Sequence, residues 1–284
     1  MIPGKLLSRP LLHLILLSLA LLWLTPILGL LITSIRPPAE ISASGWWTLF
    51  GKLLDPEQIT LASYREVLRN QGLGRAFLNS LAISAPAALV STLIAALAAY
   101  AFAWMSFGGR RALLMLVIGL MVVPLQMTFI PILPIYGRLG LSGTFPGIWL
   151  AHTGYGLPLS TYLMYGFIAH IPRELFEAAL IDGASAPRMF IRIVLPVSLP
   201  ALASIFIFQF LWIWNDLLVA LIYLGATPRV APLTLAVTNL VTNRGQNWEL
   251  LTAAAFISMG LPLLVFFTLQ RFVVRGILAG ALKG

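Results

Sequence analysis

His170-Ile-Pro-Arg-Glu-Leu-Phe-Glu-Ala-Ala-Leu-Ile-Asp-Gly-Ala-Ser-Ala-Pro-Arg-Met-Phe-Ile-Arg-Ile-Val-Leu-Pro196 is a charged island in an apolar chain. Its three basic and three acidic residues lie between two runs without Asp, Glu, Lys or Arg, one of 34 residues after Arg138 and one of 23 after Arg192. Four further runs free of charge follow Arg9, Arg75, Arg111 and Glu249, with 26, 34, 26 and 21 residues. About 20 apolar residues cross a bilayer as a helix, so each of the six runs is long enough. The chain has 284 residues, 60% hydrophobic and 10% charged, where a globular domain carries about 25% charged residues. Mean hydropathy is +0.95. These values exclude a soluble enzyme, a nucleic-acid binder and a disordered chain. They predict an all-α integral membrane protein with six transmembrane helices.

The spans are expected near 11–35, 77–105, 113–134, 147–169, 197–224 and 250–269. Residues 1–10 form the N-terminus, 36–75 a long outer loop, 76–270 a five-helix core, and 271–284 a basic tail. The first apolar run exceeds the 7–15 residues of a signal-peptide core, so it reads as an uncleaved anchor. Pro124, Pro131 and Pro134 are expected to break or kink the third span, because proline removes a backbone donor. In the outer loop, Trp46 and Trp47 suit the membrane–water interface. Thr60 or Ser63 is the expected N-cap of a short helix there.

Six spans place both termini on one side. Lys5, Arg9, Arg110, Arg111, Arg173, Arg188, Arg192, Arg271, Arg275 and Lys283 then share a face, against Arg138, Arg229 and Arg244 in the short opposite loops. By the positive-inside rule, both termini and the 170–196 loop are expected to be cytoplasmic in a multi-pass protein of the cell membrane. The net charge of +9 is explained by the lipid bilayer, and no nucleic-acid partner is expected.

Within the island, Pro172 fits a first helical turn, Leu175 to Ile181 continue as helix, and Gly183 suits the C′ position. Ser185 can cap a second short helix with Pro187 in its first turn. Leu175, Phe176, Leu180, Ile181, Met189 and Phe190 are more apolar than a solvated loop needs, and such a ridge docks on something. A lipid-lying helix is usually richer in Lys and Arg. Glu177 and Asp182 favour a protein partner.

Glu177-Ala178-Ala179, then Asp182-Gly183-Ala184, with Phe190 and Ile193-Val194-Leu195-Pro196 beyond, resembles the EAA motif of ABC importer permeases. That pattern is EAA, three residues, Gly, nine residues, I-x-L-P, and the spacing here matches it. Phe77-Leu-Asn79-Ser80, Trp214-Asn215-Asp216 and the segment Gln270 to Gly284 resemble sugar-importer permeases of the maltose type, in particular the second permease subunit. Arg36-Pro-Pro, Gly45-Trp-Trp47 and Asn243-Arg-Gly-Gln-Asn-Trp248 are similar more narrowly to alpha-glucoside and glucosylglycerol permeases.

The resemblance implies a type I ABC importer permease fold in which the EAA segment is a coupling helix, seated in a cleft of a separate ATPase. Glu177 would hold a polar contact there, and Gly183 would let the turn approach closely. The implied partners are a homologous permease subunit, an ABC ATPase dimer and an extracytoplasmic sugar-binding protein. The chain itself would bind no cofactor, with ATP and Mg on the ATPase, and would not be an enzyme. No G-x-x-x-x-G-K-[ST] phosphate cradle occurs in it. The Gly280–Gly284 tail could also reach the ATPase pair.

Asp216 is the one acidic residue inside an expected span, which makes it a functional candidate. It sits with Gln209, Trp212, Trp214 and Asn215, amides and aromatics that suit a sugar. The commoner use of such groups is bonding between helices. Gln126 either lines the pathway or satisfies a carbonyl freed at Pro124. Asn79 and Ser80 read as capping or packing groups, and the glycine-rich stretch with His152 and Tyr155 as a helix interface.

Two rival functions remain. Gly140-Leu-Ser142-Gly143 matches a short pattern of intramembrane serine proteases, with His152 or His170 as base, although Gly-Ser-Gly is ordinary turn chemistry. A secondary transporter should carry repeats and several intramembrane charges, and would leave the EAA loop unexplained. Cysteine is absent and the three histidines have no metal-ligand spacing.

Overall fold

The computed structural model describes residues 9–52, 55–225, 227–240 and 247–281. Lys5, residues 243–246 and Lys283 lie outside the described residues. The described chain is helical and has no strand. By contacts it forms two units, one of residues 1–74 and 237–259, the other of 75–236 and 260–284.

In the first unit, α1 (Arg9–Ser34) is exposed along nearly its whole apolar length, as a helix facing lipid is. Trp46 packs so closely on it that a Cβ at Gly29 would stand 3.0 Å from the indole. The chain then folds into α2 (Pro38–Ala43), 3-10 turns at Trp46–Gly51 and Pro56–Gln58, and α3 (Ala62–Arg69). The Thr60 N–H donates to Ile35 O at 2.7 Å and Ser34 Oγ bonds Tyr64 Oη at 2.8 Å. These contacts fold the 36–75 loop back on α1. Leu61, not Ser63, holds the cap position of α3, and Thr60 Oγ1 accepts only the Ala62 N–H.

The second unit takes in most of α4 (Leu73–Trp104). It continues with α5 (Arg110–Gly119), α6 (Leu125–Arg138), α7 (Phe145–Ile168), α8 (Arg173–Ile181), α9 (Ala186–Met189), α10 (Leu195–Val197), α11 (Leu199–Trp214) and α12 (Leu218–Leu224). The helices α13 (Leu233–Leu240) and the long α14 (Trp248–Ala281) are each divided between the two units. Ala95, Ala96 and Ala99 of α4 are fully buried and share a core with Met164 and Ile168 of α7 and Leu202 and Ile205 of α11. Small side chains allow that close approach of backbones.

The expected spans form partly as single helices and partly as bent pairs. Arg9–Ser34, Leu73–Trp104 and Trp248–Thr268 are long and apolar enough to cross a membrane. Two bent pairs bring the number to five: Arg110–Val122 with Leu125–Arg138 at 103°, and Ala186–Val197 with Leu199–Trp214 at 77°. The first bend lies at Val123 (ψ 117°), because the ring of Pro124 disfavours helical geometry in the residue before it. Pro131 and Pro134 stay inside α6, so one of the three expected breaks occurs. The expected fourth span forms as α7, but its His, Thr, Ser and Gly content keeps it out of that apolar set. Asn215 and Asp216 interrupt the expected fifth span. The tail does not leave the helix at residue 270, since α14 continues to Ala281.

Candidate functional site

The 170–196 segment is built as helix, glycine turn, helix. Pro172 caps α8 rather than sitting in its first turn. At the far end Gly183 takes φ +71°. Its N–H donates to Leu180 O at 3.0 Å, and the Ala184 N–H to Ala179 O at 2.9 Å. These two bonds are the Schellman pairing that satisfies the last carbonyls of a helix. Ser185 holds the N-cap position of α9 with Pro187 in the first turn, as expected, but its side chain makes no cap bond. Phe190–Val194 is a π-helical turn.

The apolar ridge divides in two. Phe176, Met189 and Phe190 are buried with Val194 in the core, so they anchor the segment rather than face outward. Phe176 stacks on Trp104 at 3.9 Å and Phe190 meets Tyr100 at 5.6 Å. Tyr100 Oη donates to Ala186 O at 3.2 Å, and Trp104 Nε1 to Ile168 O at 3.0 Å. Ala179, Ala184, Ile193 and Leu195 pack partly against this core. Tyr100 and Trp104, at the end of α4, are the floor of the segment. Sequence reasoning missed them, and the signal available was an aromatic pair just before the Gly108-Gly109 turn.

The outward face keeps Leu175, Leu180 and Ile181, of which Ile181 is 87% exposed. Ala178, Asp182, Gly183 and Pro196 are exposed as well. Glu177 is exposed and accepts from Arg173 Nε at 2.8 Å. The outward face thus presents an apolar knob flanked by a carboxylate and a tight glycine turn.

The intramembrane polar candidates do not converge. Gln209 is buried and donates through Nε2 to Gly156 O at 3.1 Å and to Ser160 Oγ. Trp212 meets the buried His152 ring edge-on at 5.9 Å. These two residues join α11 to α7. Asn215 Nδ2 donates to Leu211 O in its own helix at 2.8 Å. Asp216 Oδ2 accepts the Ala220 N–H at 3.1 Å and caps α12. Gln126 is exposed on α6. Asn79 donates to Arg229 O and Ala231 O, and Ser80 Oγ accepts the Leu233 N–H, so both tie down the chain before α13.

The protease geometry is not built. His152 is enclosed beside Trp212, and His170 Nδ1 bonds Gly166 O at 2.6 Å. Gly140 and Gly143, with φ of +66° and +73°, make the Ser142 segment a turn. Among the described residues no group of His, Asp and Glu is placed to hold a metal.

Residues 91–279 match the family described as the binding-protein-dependent transport system inner membrane component. The chain is 56% identical over 271 residues to the osmoprotective compounds uptake permease protein GgtD of Synechocystis sp., covering 95% of this chain and 91% of that one. It is 54% identical over 241 residues to the alpha-glucoside transport system permease protein AglG of Rhizobium meliloti, covering 83% of this chain and 63% of that one. A chain of the crystal structure of a bacterial ABC transporter that imports alginate superposes with a TM-score of 0.76 at 20% identity, covering 94% of this chain and 99% of the other. At that identity the likeness is one of fold.

Proposed function

Because the chain belongs to the inner-membrane components of binding-protein-dependent transport systems, we propose that it is a permease subunit of an ABC importer for sugars of the oligosaccharide or glucoside class. Two relatives of more than half identity, one named for osmoprotective compounds and one for alpha-glucosides, support that substrate class. The observation that carries the mechanism is the division of the 170–196 segment. Phe176 and Phe190 lock it to α4 and α7, while Glu177, Leu180, Ile181 and Gly183 face outward.

In this account the outward face seats in a cleft of an ABC ATPase dimer. ATP and Mg belong to that partner, and closure of the dimer supplies the motion. The segment moves as one body with the ends of α4 and α7, so the motion reaches the spans and reorients them between inward and outward access. A homologous permease subunit completes the pathway, and an extracytoplasmic binding protein delivers the sugar. Both termini and the 170–196 segment face the cytoplasm.

Glu177→Lys tests the coupling. It reverses the charge on an exposed face, so the chain should fold and insert normally. Sugar-stimulated ATP turnover of the reconstituted complex should fall at least about tenfold, the effect of losing roughly 1.4 kcal/mol of contact energy. Turnover at the unsubstituted level would refute the role of that face.

A further inference from the structure

Within the first unit, the end of α1, the segment from Arg36 to Trp46 and the start of α14 line an open cavity of about 220 Å³. Leu30, Thr33, Arg36, Ser44, Trp248 and Thr252 are among its walls. Its setting is the edge of a lipid-facing surface. The side chains of α1 are exposed and apolar up to Leu31, and Leu30 itself is 44% exposed. Trp47 and Trp248 are more than half exposed, and indoles in that position sit at headgroup level.

Arg36 is the one charged residue of that wall, and just outside it Arg36 and Lys52 share a single carboxylate, that of Glu40. Arg36 is 1% exposed. Its guanidinium donates to Gly45 O, Glu40 O, Ser44 Oγ and Thr48 Oγ1, and to Glu40 Oε2 at 3.4 Å. Its Nε–H has no partner. Glu40 also faces Lys52 at 3.4 Å, so one carboxylate serves two cations. A buried guanidinium incompletely matched in charge is stabilised by an anion brought close to it. Hydroxyls at Ser44 and Thr252 add polar groups to the same wall. A neutral sugar would leave the excess charge unanswered, whereas a phosphate diester answers it and brings acyl chains to the exposed face of α1.

We infer that this cavity holds the headgroup of an anionic phospholipid, with its chains laid along α1. It is a lipid site separate from the transport pathway, and it does not depend on which solute the protein carries.

The test uses the full chain purified in detergent and stripped of lipid, then titrated with phosphatidylglycerol or phosphatidylcholine. Bound lipid is counted by native mass spectrometry and stability is read as Tm. Phosphatidylglycerol should be retained about fivefold better, the scale of one basic group acting on an anionic headgroup, and should raise Tm. Lys52→Glu removes the charge excess at a half-exposed side chain, and Thr33→Phe fills the cavity from α1. Loss of the preference in either variant, with unchanged elution on size exclusion, supports the site. Equal retention of the two lipids, or a preference that survives both substitutions, overturns it. So does equal stabilisation by glycerol 3-phosphate or by a neutral disaccharide alone.

Discussion

Gly183 illustrates how much one residue sets in the coupling segment. Its φ of +71° lies where a Cβ is disfavoured, yet a Cβ built there meets nothing within 4 Å. The chain therefore needs glycine only for the backbone turn, and Asn tolerates that turn better than other side chains do. Gly183→Asn should lower stability by no more than about 1 kcal/mol. If the ATPase closes on this turn, the same substitution should cut sugar-stimulated ATP turnover severalfold. Full turnover with normal expression would mean that the turn is free of the partner. Glu40 makes a prediction about pH. The Lys52 ammonium bonded to it, with a smaller contribution from Arg36, holds its carboxyl below the ordinary carboxylate range. Its contribution to order in the 36–75 loop is present above the ordinary carboxylate pKa and is lost as pH falls through the lowered one. Fluorescence of Trp46 and Trp47 should therefore report loosening only in the acid range below about pH 4. Glu40→Gln should show that looser signal already at neutral pH. A titration curve identical in the variant would contradict the assignment.

At the scale of elements, α8 stands or falls on its inner face. Phe176 is 4% exposed and stacked on Trp104. Phe176→Ala should cost about 3 kcal/mol or more of local stability and free the segment from α4. ATPase subunits could then still bind while transport is lost, which binding and uptake assays separate. Retained uptake would place the mechanical link elsewhere. A second element-level contact is that of α7 with α11. A Cβ on Gly156 would stand 2.7 Å from the Gln209 amide, so Gly156→Leu should push α11 away and lower Tm. An unchanged Tm would show that the helices have room to shift.

The helices of this molecule were legible in the sequence because charge-free runs and proline positions carry them. Gly183 was legible as a helix end for the same local reason. The direction of the apolar ridge was not. Phe176 and Leu175 are neighbours of similar hydrophobicity, and only Tyr100 and Trp104, some seventy residues earlier in the chain, decide which one turns inward. Asp216 was visible as unusual, but its bond to the Ala220 N–H depends on a break in the helix that apolar periodicity does not reveal. The break at Pro124 was expected, whereas Pro131 and Pro134 do not break α6, which keeps both prolines within it.

For the molecule as a whole, three long apolar helices and two bent pairs make up the candidate spans of the permease. The chain is bent near Val123 and again near Ser198, and the 170–196 segment runs directly into the second bend. Among the described residues none covers the apolar knob of Leu180 and Ile181, and on the proposed function this is the face a partner seats on. The most direct measurement is isolation of the tagged protein from its native membrane in mild detergent, with mass spectrometry of what accompanies it, beside an Ile181→Glu variant. The account predicts an ATPase carrying a G-x-x-x-x-G-K-[ST] motif and a second permease with the unsubstituted chain, and loss of the ATPase alone from the variant. Isolation of the chain by itself, intact and monodisperse, or an ATPase retained equally by both, would contradict it.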